Sequence, residues 1–145
     1  MLKEESIEDT HEYSLEKEEN IGSVLKKLPE IIRQKEEILL QNEILKGEHI
    51  AKTKTIEENT ARAVASEKVE EEQKDGSKKL VNKYTNDMQR SAQVNTRLIN
   101  HKEYNIKRDA ADKLDRWIQK EKIIVSYLKR LHNSAGYLAL LKGDK

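Results

Sequence analysis

Four histidines and many carboxylates are the side chains of this chain that could bind a metal ion or carry out acid–base chemistry. The histidines are His11, His49, His101 and His132. No two of them are four residues apart, the spacing at which one helix presents two ligands to the same metal ion. His49 and His101 would face each other across a helical hairpin that turns at residues 75–76. A metal clip or a pH-sensitive contact is one interpretation of that pair, and two ordinary half-exposed histidines are the other.

The carboxylates occur in runs, as at residues 36–37, 57–58 and 70–72. Catalytic carboxylates need burial or close partners to shift their pKa, whereas runs of this kind are typical of solvated helix faces. The chain has no cysteine, and its five glycines are isolated, so no thiolate nucleophile and no phosphate-binding glycine loop is present. We therefore predict a protein that is not an enzyme, with no catalytic residues, no cofactor and no metal site.

Charge is distributed unevenly along the chain. Residues 1–20 carry 2 basic and 8 acidic groups, and residues 76–145 carry 16 basic and 7 acidic groups. A basic second half could follow a phosphate backbone, and Tyr84 and Tyr104 could stack on bases. Alternatively, these cations complement an acidic first half, as flanking charges do in antiparallel coiled coils. The candidate nucleic-acid contacts are Arg90, Arg97, Lys102, Lys107, Arg108 and Lys113.

Composition favours long helices over a globular core. Charged residues make up 38% of the chain and apolar residues 35%, with one Trp and no Phe. This apolar fraction is lower than the roughly 45–50% of typical globular domains, whereas a bundle in which each helix buries one stripe needs less core. We predict an all-α fold, a long antiparallel coiled-coil hairpin with a small helical base.

The turn of this hairpin is predicted at residues 75–76, where Asp75 and Gly76 form the strongest helix-breaking signal in the middle of the chain. Ser77 would cap the following helix. The arms would cover about 29–74 and 77–132, with Gly47 opposite Tyr104 and Ala63 opposite Met88. A single helix of more than 100 residues is the alternative.

The ends of the arms are predicted from proline, glycine and apolar spacing. Residues 21–28 would form a short helix, and a new helix would start at Pro29, with one kinked helix as the alternative. The second arm would end at residues 133–136, before an apolar tail at 137–142. Residues 1–20 form an acidic segment with little apolar surface, predicted to be flexible, ahead of a helical hairpin domain at 21–145.

Apolar side chains concentrate at the open end of the predicted hairpin, and exposed apolar patches usually mark interfaces. Aromatic and aliphatic anchors dominate binding energy. The candidate protein interface comprises Trp117, Tyr127, Leu128, Leu131, Tyr137 and Leu141. Burial of these residues within the base is the alternative to self-association.

No apolar run approaches the roughly 18 residues that span a bilayer, and the N-terminus lacks a signal-peptide pattern, so we expect a cytoplasmic protein without a membrane partner. The Lys, Ile and Asn content is typical of AT-rich bacterial, phage or mobile-element sources. The predicted function is that of a non-catalytic coiled-coil interaction protein, a self-associating homo-oligomeric scaffold, adaptor or accessory factor of a larger assembly. The alternative is a nucleic-acid-binding accessory protein that uses its basic second arm.

Overall fold

The computed structural model describes residues 19–143, with side chains from Ile21 to Leu141. The elements are α1 (Glu19–Ser66), β1 (Lys68–Glu72), β2 (Lys78–Asn82), α2 (Asp87–Ile99) and α3 (Lys102–Gly143). The long helices α1 and α3 pack antiparallel, with the β-hairpin and α2 between them in sequence. The predicted helical-hairpin class is confirmed. Most of the predicted flexible segment, residues 1–18, lies outside the described residues.

The chain divides into two compact units. The terminal unit comprises Met1–Lys46 and Asp112–Lys145, and the central unit comprises Gly47–Ala111. In the terminal unit, one buried cluster contains Val24, Leu28 and Leu128, and a second contains Leu39 and Trp117. In the central unit, the buried apolar residues are Val64, Leu98, Tyr104 and Ala111.

Helix α1 runs unbroken through Pro29, so the predicted helix boundary at that residue is wrong. Proline in a helix interior removes one backbone hydrogen bond and costs about 3 kcal/mol. Leu28 and Val24, on the turn before Pro29, are almost fully buried, and Ile32 packs on the turn after it. Apolar packing on both sides of the proline therefore holds the helix together.

The turn at residues 75–76 is confirmed. Gly76 has a φ of 84°, the left-handed conformation that glycine adopts without steric penalty. Asp75 Oδ1 accepts hydrogen bonds from the backbone N–H of Ser77, at 3.0 Å, and from the Ser77 hydroxyl, at 2.6 Å. Ser77 therefore closes the turn and does not cap a helix.

The segments beside this turn are strands, so the predicted helical arms differ from the observed helices. β1 and β2 pair antiparallel, with Val69 opposite Val81 and Glu71 opposite Lys79. Opposite charges and β-branched residues placed directly across from each other stabilise an antiparallel pair. Because the polar residues here offer no apolar stripe to a second helix, cross-strand pairing replaces helix packing.

A helix break that the sequence analysis did not predict separates α2 from α3. Asn86 caps α2 by accepting a 2.8 Å hydrogen bond from the Gln89 N–H. At the start of α3, His101 Nδ1 accepts a 3.0 Å hydrogen bond from the Tyr104 N–H, and the His101 carbonyl accepts one from the Asn105 N–H. The second arm thus consists of a strand and two separately capped helices.

Helix α3 continues to Gly143, so its predicted end at residues 133–136 is also wrong. Ala135 is fully buried against the cluster around Leu28, and Leu138 and Ala139 pack on the same cluster. These contacts maintain the helix through the asparagine, serine and glycine residues of that stretch.

Candidate interaction surface

One side of the contact between α1 and α3 in the terminal unit is closed by ion pairs. Lys129 Nζ lies 2.5 Å from Glu36 Oε1, and Lys122 Nζ lies 3.0 Å from Glu43 Oε1. These four residues repeat at a spacing of seven on each helix, so they form one continuous edge, which we call the charged flank. Basic residues of the second arm therefore do complement acidic residues of the first arm.

Two further ion pairs join α1 to α3 in this unit. Lys46 Nζ donates a 2.6 Å hydrogen bond to Asp115 Oδ1, and this bond lowers the pKa of the Asp115 carboxyl. Lys35 Nζ lies 3.7 Å from Glu121 Oε2, and both side chains are largely buried. Separating such a pair would leave an uncompensated charge in the core, so a shifted alignment of the two helices would be penalised at Lys35 and Glu121.

The other side of the same contact is apolar. At about 100° per residue, Ile31, Ile38 and Leu45 lie across the buried stripe of α1 from Glu36 and Glu43. The same geometry on α3 places an apolar row opposite Lys122 and Lys129. We call this surface the apolar flank; its members are Ile31, Ile38 and Leu45 of α1 and Tyr127, Leu131 and Leu138 of α3.

Much of the apolar flank is accessible to solvent. Ile38 is 47% exposed and Leu45 is 40% exposed, while Ile31, Tyr127 and Leu131 are half-buried. Two helices can bury the stripe between them but not both edges of that stripe. The ion pairs lie along one edge, and apolar side chains of the other edge remain partly exposed.

The end of α3 carries a second group of exposed apolar side chains. Tyr137 is 74% exposed, Leu140 71% and Leu141 63%. Their spacing of three and four residues places them close together on the helix, on the side away from the residues that pack against α1.

The six predicted interface residues therefore occupy three environments. Trp117 and Leu128 are buried in the core, so they stabilise the unit and are not available to a partner in this conformation. Tyr127 and Leu131 lie at the apolar flank, and Tyr137 and Leu141 lie at the exposed end of α3. Ile38 and Leu45 are surface residues that the sequence analysis did not identify, because heptad spacing alone does not show which apolar row faces the partner helix.

The central unit contains a charged cluster where α1 meets the β-hairpin. Glu67 accepts hydrogen bonds from Arg97 of α2 and, at 3.2 Å, from Lys83 after β2. The hydrogen bond from Arg97, followed by that from Lys83, lowers the pKa of the Glu67 carboxyl. Lys83 Nζ also lies 5.5 Å from the centre of the Tyr84 ring. This cluster fixes the start of the β-hairpin against α2.

The predicted nucleic-acid contacts also separate into two groups. Arg97 bonds to Glu67, and Arg90 bonds to Asp87 and to the Tyr84 carbonyl, so these two side chains make contacts within the chain. The other four lie on α3; Lys107 is half-buried, and the three that are exposed are Lys102, Arg108 and Lys113.

The two histidines considered as a possible clip, His49 and His101, lie at different levels of the central unit. The Tyr104 hydroxyl donates a 2.7 Å hydrogen bond to Glu57, so Tyr104 does not face Gly47 as predicted. This register places His101 opposite a point on α1 roughly 15 Å from His49. The contact between His49 and His101 is therefore not formed, and both side chains are half-exposed, which matches the other interpretation of the pair. Met88, predicted to face Ala63, is 83% exposed instead.

Among residues 19–143, no group of three or more His, Cys, Asp or Glu side chains has a metal-binding arrangement. A surface hollow of about 410 Å³ is lined by Lys83, Tyr84, Gln89 and neighbouring residues of α2.

Within the described range, no helix is both long enough and apolar enough to cross a bilayer. The fold and surface define a helical hairpin with exposed hydrophobic residues. Comparison of the chain with protein-family models, curated proteins and solved structures finds no match.

Proposed function

We propose that this chain is a non-catalytic interaction protein that associates with itself and acts as a scaffold or adaptor. The observation that carries the proposal is the set of large apolar side chains left exposed on the terminal unit, at the apolar flank and at the end of α3. Exposed patches of this kind on a soluble surface usually mark protein interfaces. The charge-rich composition suits a protein that offers surface to larger assemblies, such as those of bacteria, phages or mobile elements.

Light scattering coupled to size-exclusion chromatography tests self-association directly. The chain has a mass of 16.9 kDa, and we expect a defined multiple of that mass across a concentration series. Association through apolar surface should persist at high salt, because screening weakens exposed charge pairs and leaves apolar burial intact. A monomer at every concentration would overturn the self-association part of the proposal.

Nucleic-acid binding is the second candidate function, and the exposed side chains of Lys102 and Arg108 in the central unit are the observation that favours it. Binding through these cations would weaken steeply with rising salt. Arg90 and Arg97 provide a matched comparison because their guanidinium groups are already bonded to carboxylates.

The same chromatography, run with single- and double-stranded DNA, distinguishes the two functions. A salt-sensitive shift that is lost in Lys102→Gln/Arg108→Gln but kept in Arg90→Gln/Arg97→Gln would support a nucleic-acid-binding function. An oligomer that ignores DNA would favour the scaffold.

A further inference from the structure

We propose that the apolar flank is the surface on which a second copy of this chain docks, and that the two terminal units form a four-helix bundle. This inference rests on the proposed self-association and specifies its surface and its geometry. The two flanks of the unit differ in kind, since ion pairs close one, whereas the other is lined mainly by hydrophobic side chains, with Lys27 and Lys120 at its two ends.

The size of the apolar flank fits a dimer. The members of the flank span residues 31–45 of α1 and 127–138 of α3. Because Glu36 lies level with Lys129, these spans overlap in part and together cover about 20 levels, a footprint of roughly 30 Å by 20 Å per copy. Two such footprints total about 1,200 Å², more than the roughly 1,000 Å² that a specific protein interface needs.

Symmetry determines which helices meet. A two-fold axis parallel to the helices and lying in the interface places α1 of each copy on α3 of the other. Every neighbouring pair of helices in the bundle is then antiparallel, as in common four-helix bundles. Rotation about this axis does not move residues along the bundle. Residues of α1 and α3 that lie side by side within one copy therefore lie at the same level between copies as well.

Charges at the rim of the flank complement each other in this arrangement. Glu30 and Glu37 follow the outer edge on α1 at a spacing of seven, and Arg116 and Arg130 lie exposed on the matching edge of α3, two heptads apart. Within one copy, Glu36 pairs with Lys129. Glu37 of one copy therefore lies at the level of Arg130 of the second copy, on the same outer side.

This complementarity distinguishes the apolar flank from the end of α3. Acidic and basic edges on different helices are self-complementary only when α1 meets α3 of another copy, so they specify both the partner and its orientation.

A pair of double variants on α1 tests the surface. Ile38→Glu/Leu45→Glu places charges on the apolar flank, and Leu40→Glu/Ile44→Glu places the same charges on the far side of the same helix. Leu40 and Ile44 are 58% and 57% exposed, so the control side chains are at least as accessible. We expect the first variant to elute as a 16.9 kDa monomer with unchanged helix content, and the second to remain a dimer.

The outcomes separate the inference from the function on which it rests. A wild-type protein that is monomeric at every concentration overturns both. A dimer that survives Ile38→Glu/Leu45→Glu overturns the docking surface alone. If Tyr137→Ser/Leu141→Ser then dissociates that dimer, the interface is the end of α3.

A charge exchange tests the orientation. Glu37→Arg and Arg130→Glu should each raise the dimer dissociation constant by about 3- to 10-fold, because each places like charges at two symmetric contacts. The double variant should restore the wild-type value. Glu37 also lies 3.4 Å from Arg33 of its own helix, but loss of that pair would not be rescued by a change at Arg130. Absence of rescue would contradict the proposed geometry.

Discussion

The hydroxyl of Tyr104 donates a 2.7 Å hydrogen bond to Glu57, which links the first turn of α3 to α1 in the central unit. Tyr104 is buried, and its N–H also donates to the His101 side chain that caps α3. Tyr104 therefore contributes both to the cap of α3 and to the packing of α3 on α1. The bond to Glu57 is the first cause of a raised pKa of the Tyr104 hydroxyl, and burial is the second.

Replacement of Tyr104 by Phe should lower the free energy of unfolding by about 1 kcal/mol at neutral pH, the usual net contribution of one hydrogen bond. Denaturant unfolding monitored by circular dichroism measures this difference. Tyr137→Phe is the control, because Tyr137 is 74% exposed, and it should leave the midpoint unchanged. Equal effects of the two substitutions would contradict a specific role of the bond to Glu57.

Alkaline pH should remove the same contribution. Because the pKa of Tyr104 is raised in the folded chain, its hydroxyl contributes fully below the ordinary tyrosine pKa of about 10, and the contribution is lost as pH rises through the folded value. The difference between wild type and Tyr104→Phe should therefore shrink above that range. A difference that stays constant into strong alkali would show that the bond does not depend on the hydroxyl proton.

Glu67 should show the opposite dependence on pH. Its pKa is lowered by hydrogen bonds from Arg97 and Lys83, so its contribution is present above the ordinary glutamate pKa of about 4.3 and is lost as pH falls through the lower folded value. Glu67→Gln should destabilise the protein at pH 7 and have little effect in strong acid. Glu58→Gln, an exposed change on α1, should be neutral at both pH values.

Native-state hydrogen exchange locates the effect of the Glu67 change. Because Glu67 lies at the start of the β-hairpin, amides of β1 and β2 should lose protection in Glu67→Gln before those of the terminal unit. Uniform loss of protection over both units would argue against a local role for this cluster.

Leu128, one of the predicted interface residues, should contribute to stability because it is buried in the core. Its side chain is fully buried between α1 and α3, so Leu128→Ala should cost about 2–5 kcal/mol of stability. Leu141→Ala, at a position 63% exposed, should change stability by less than about 0.5 kcal/mol. Thermal and denaturant unfolding of the two variants check this contrast. A small effect at Leu128 would mean that the core can collapse around the lost side chain.

The sequence predicts the antiparallel hairpin because helical spacing on both sides of a single strong turn admits few other arrangements. It also predicts the turn itself, since Gly76 supplies a conformation that other residues avoid. The strands beside the turn escape prediction because their residues do not alternate between apolar and polar, and nearly all of their side chains are exposed. Hydrophobic periodicity, the main signal for secondary structure in a sequence, is therefore absent from these segments.

The candidate surface is harder to predict than the hairpin, because heptad spacing identifies an apolar row without showing which row faces the partner helix. Ile38 and Leu39 are adjacent in sequence, yet Leu39 is buried against Trp117 and Ile38 is nearly half exposed. The buried clusters distinguish them: Leu39 lies on the same side of α1 as Ile32, which packs against the same cluster, whereas Ile38 lies at the edge of that side. Which apolar row is buried appears only once the helices are placed.

Two glycines of the central unit should respond to alanine with opposite signs. A Cβ atom would meet no other atom within 4 Å at either Gly47 or Gly76, so steric clash does not decide the outcome at either position. Backbone conformation does. Gly47 lies inside α1, where alanine should raise stability by up to about 1 kcal/mol through its higher helix propensity. Gly76, with its φ of 84°, should lose about 1–2 kcal/mol on the same change, because a Cβ disfavours the left-handed region.

Denaturant unfolding of Gly47→Ala, Gly76→Ala and the double variant measures both effects in one background. The two residues are far apart in sequence and share no contacts, so the double variant should equal the sum of the single changes to within about 0.5 kcal/mol. A Gly76→Ala protein as stable as wild type would show that the turn has relaxed to another type. Loss of stability in Gly47→Ala would instead indicate that a second molecule lies close to Gly47, because a single copy places nothing within 4 Å of a Cβ atom there.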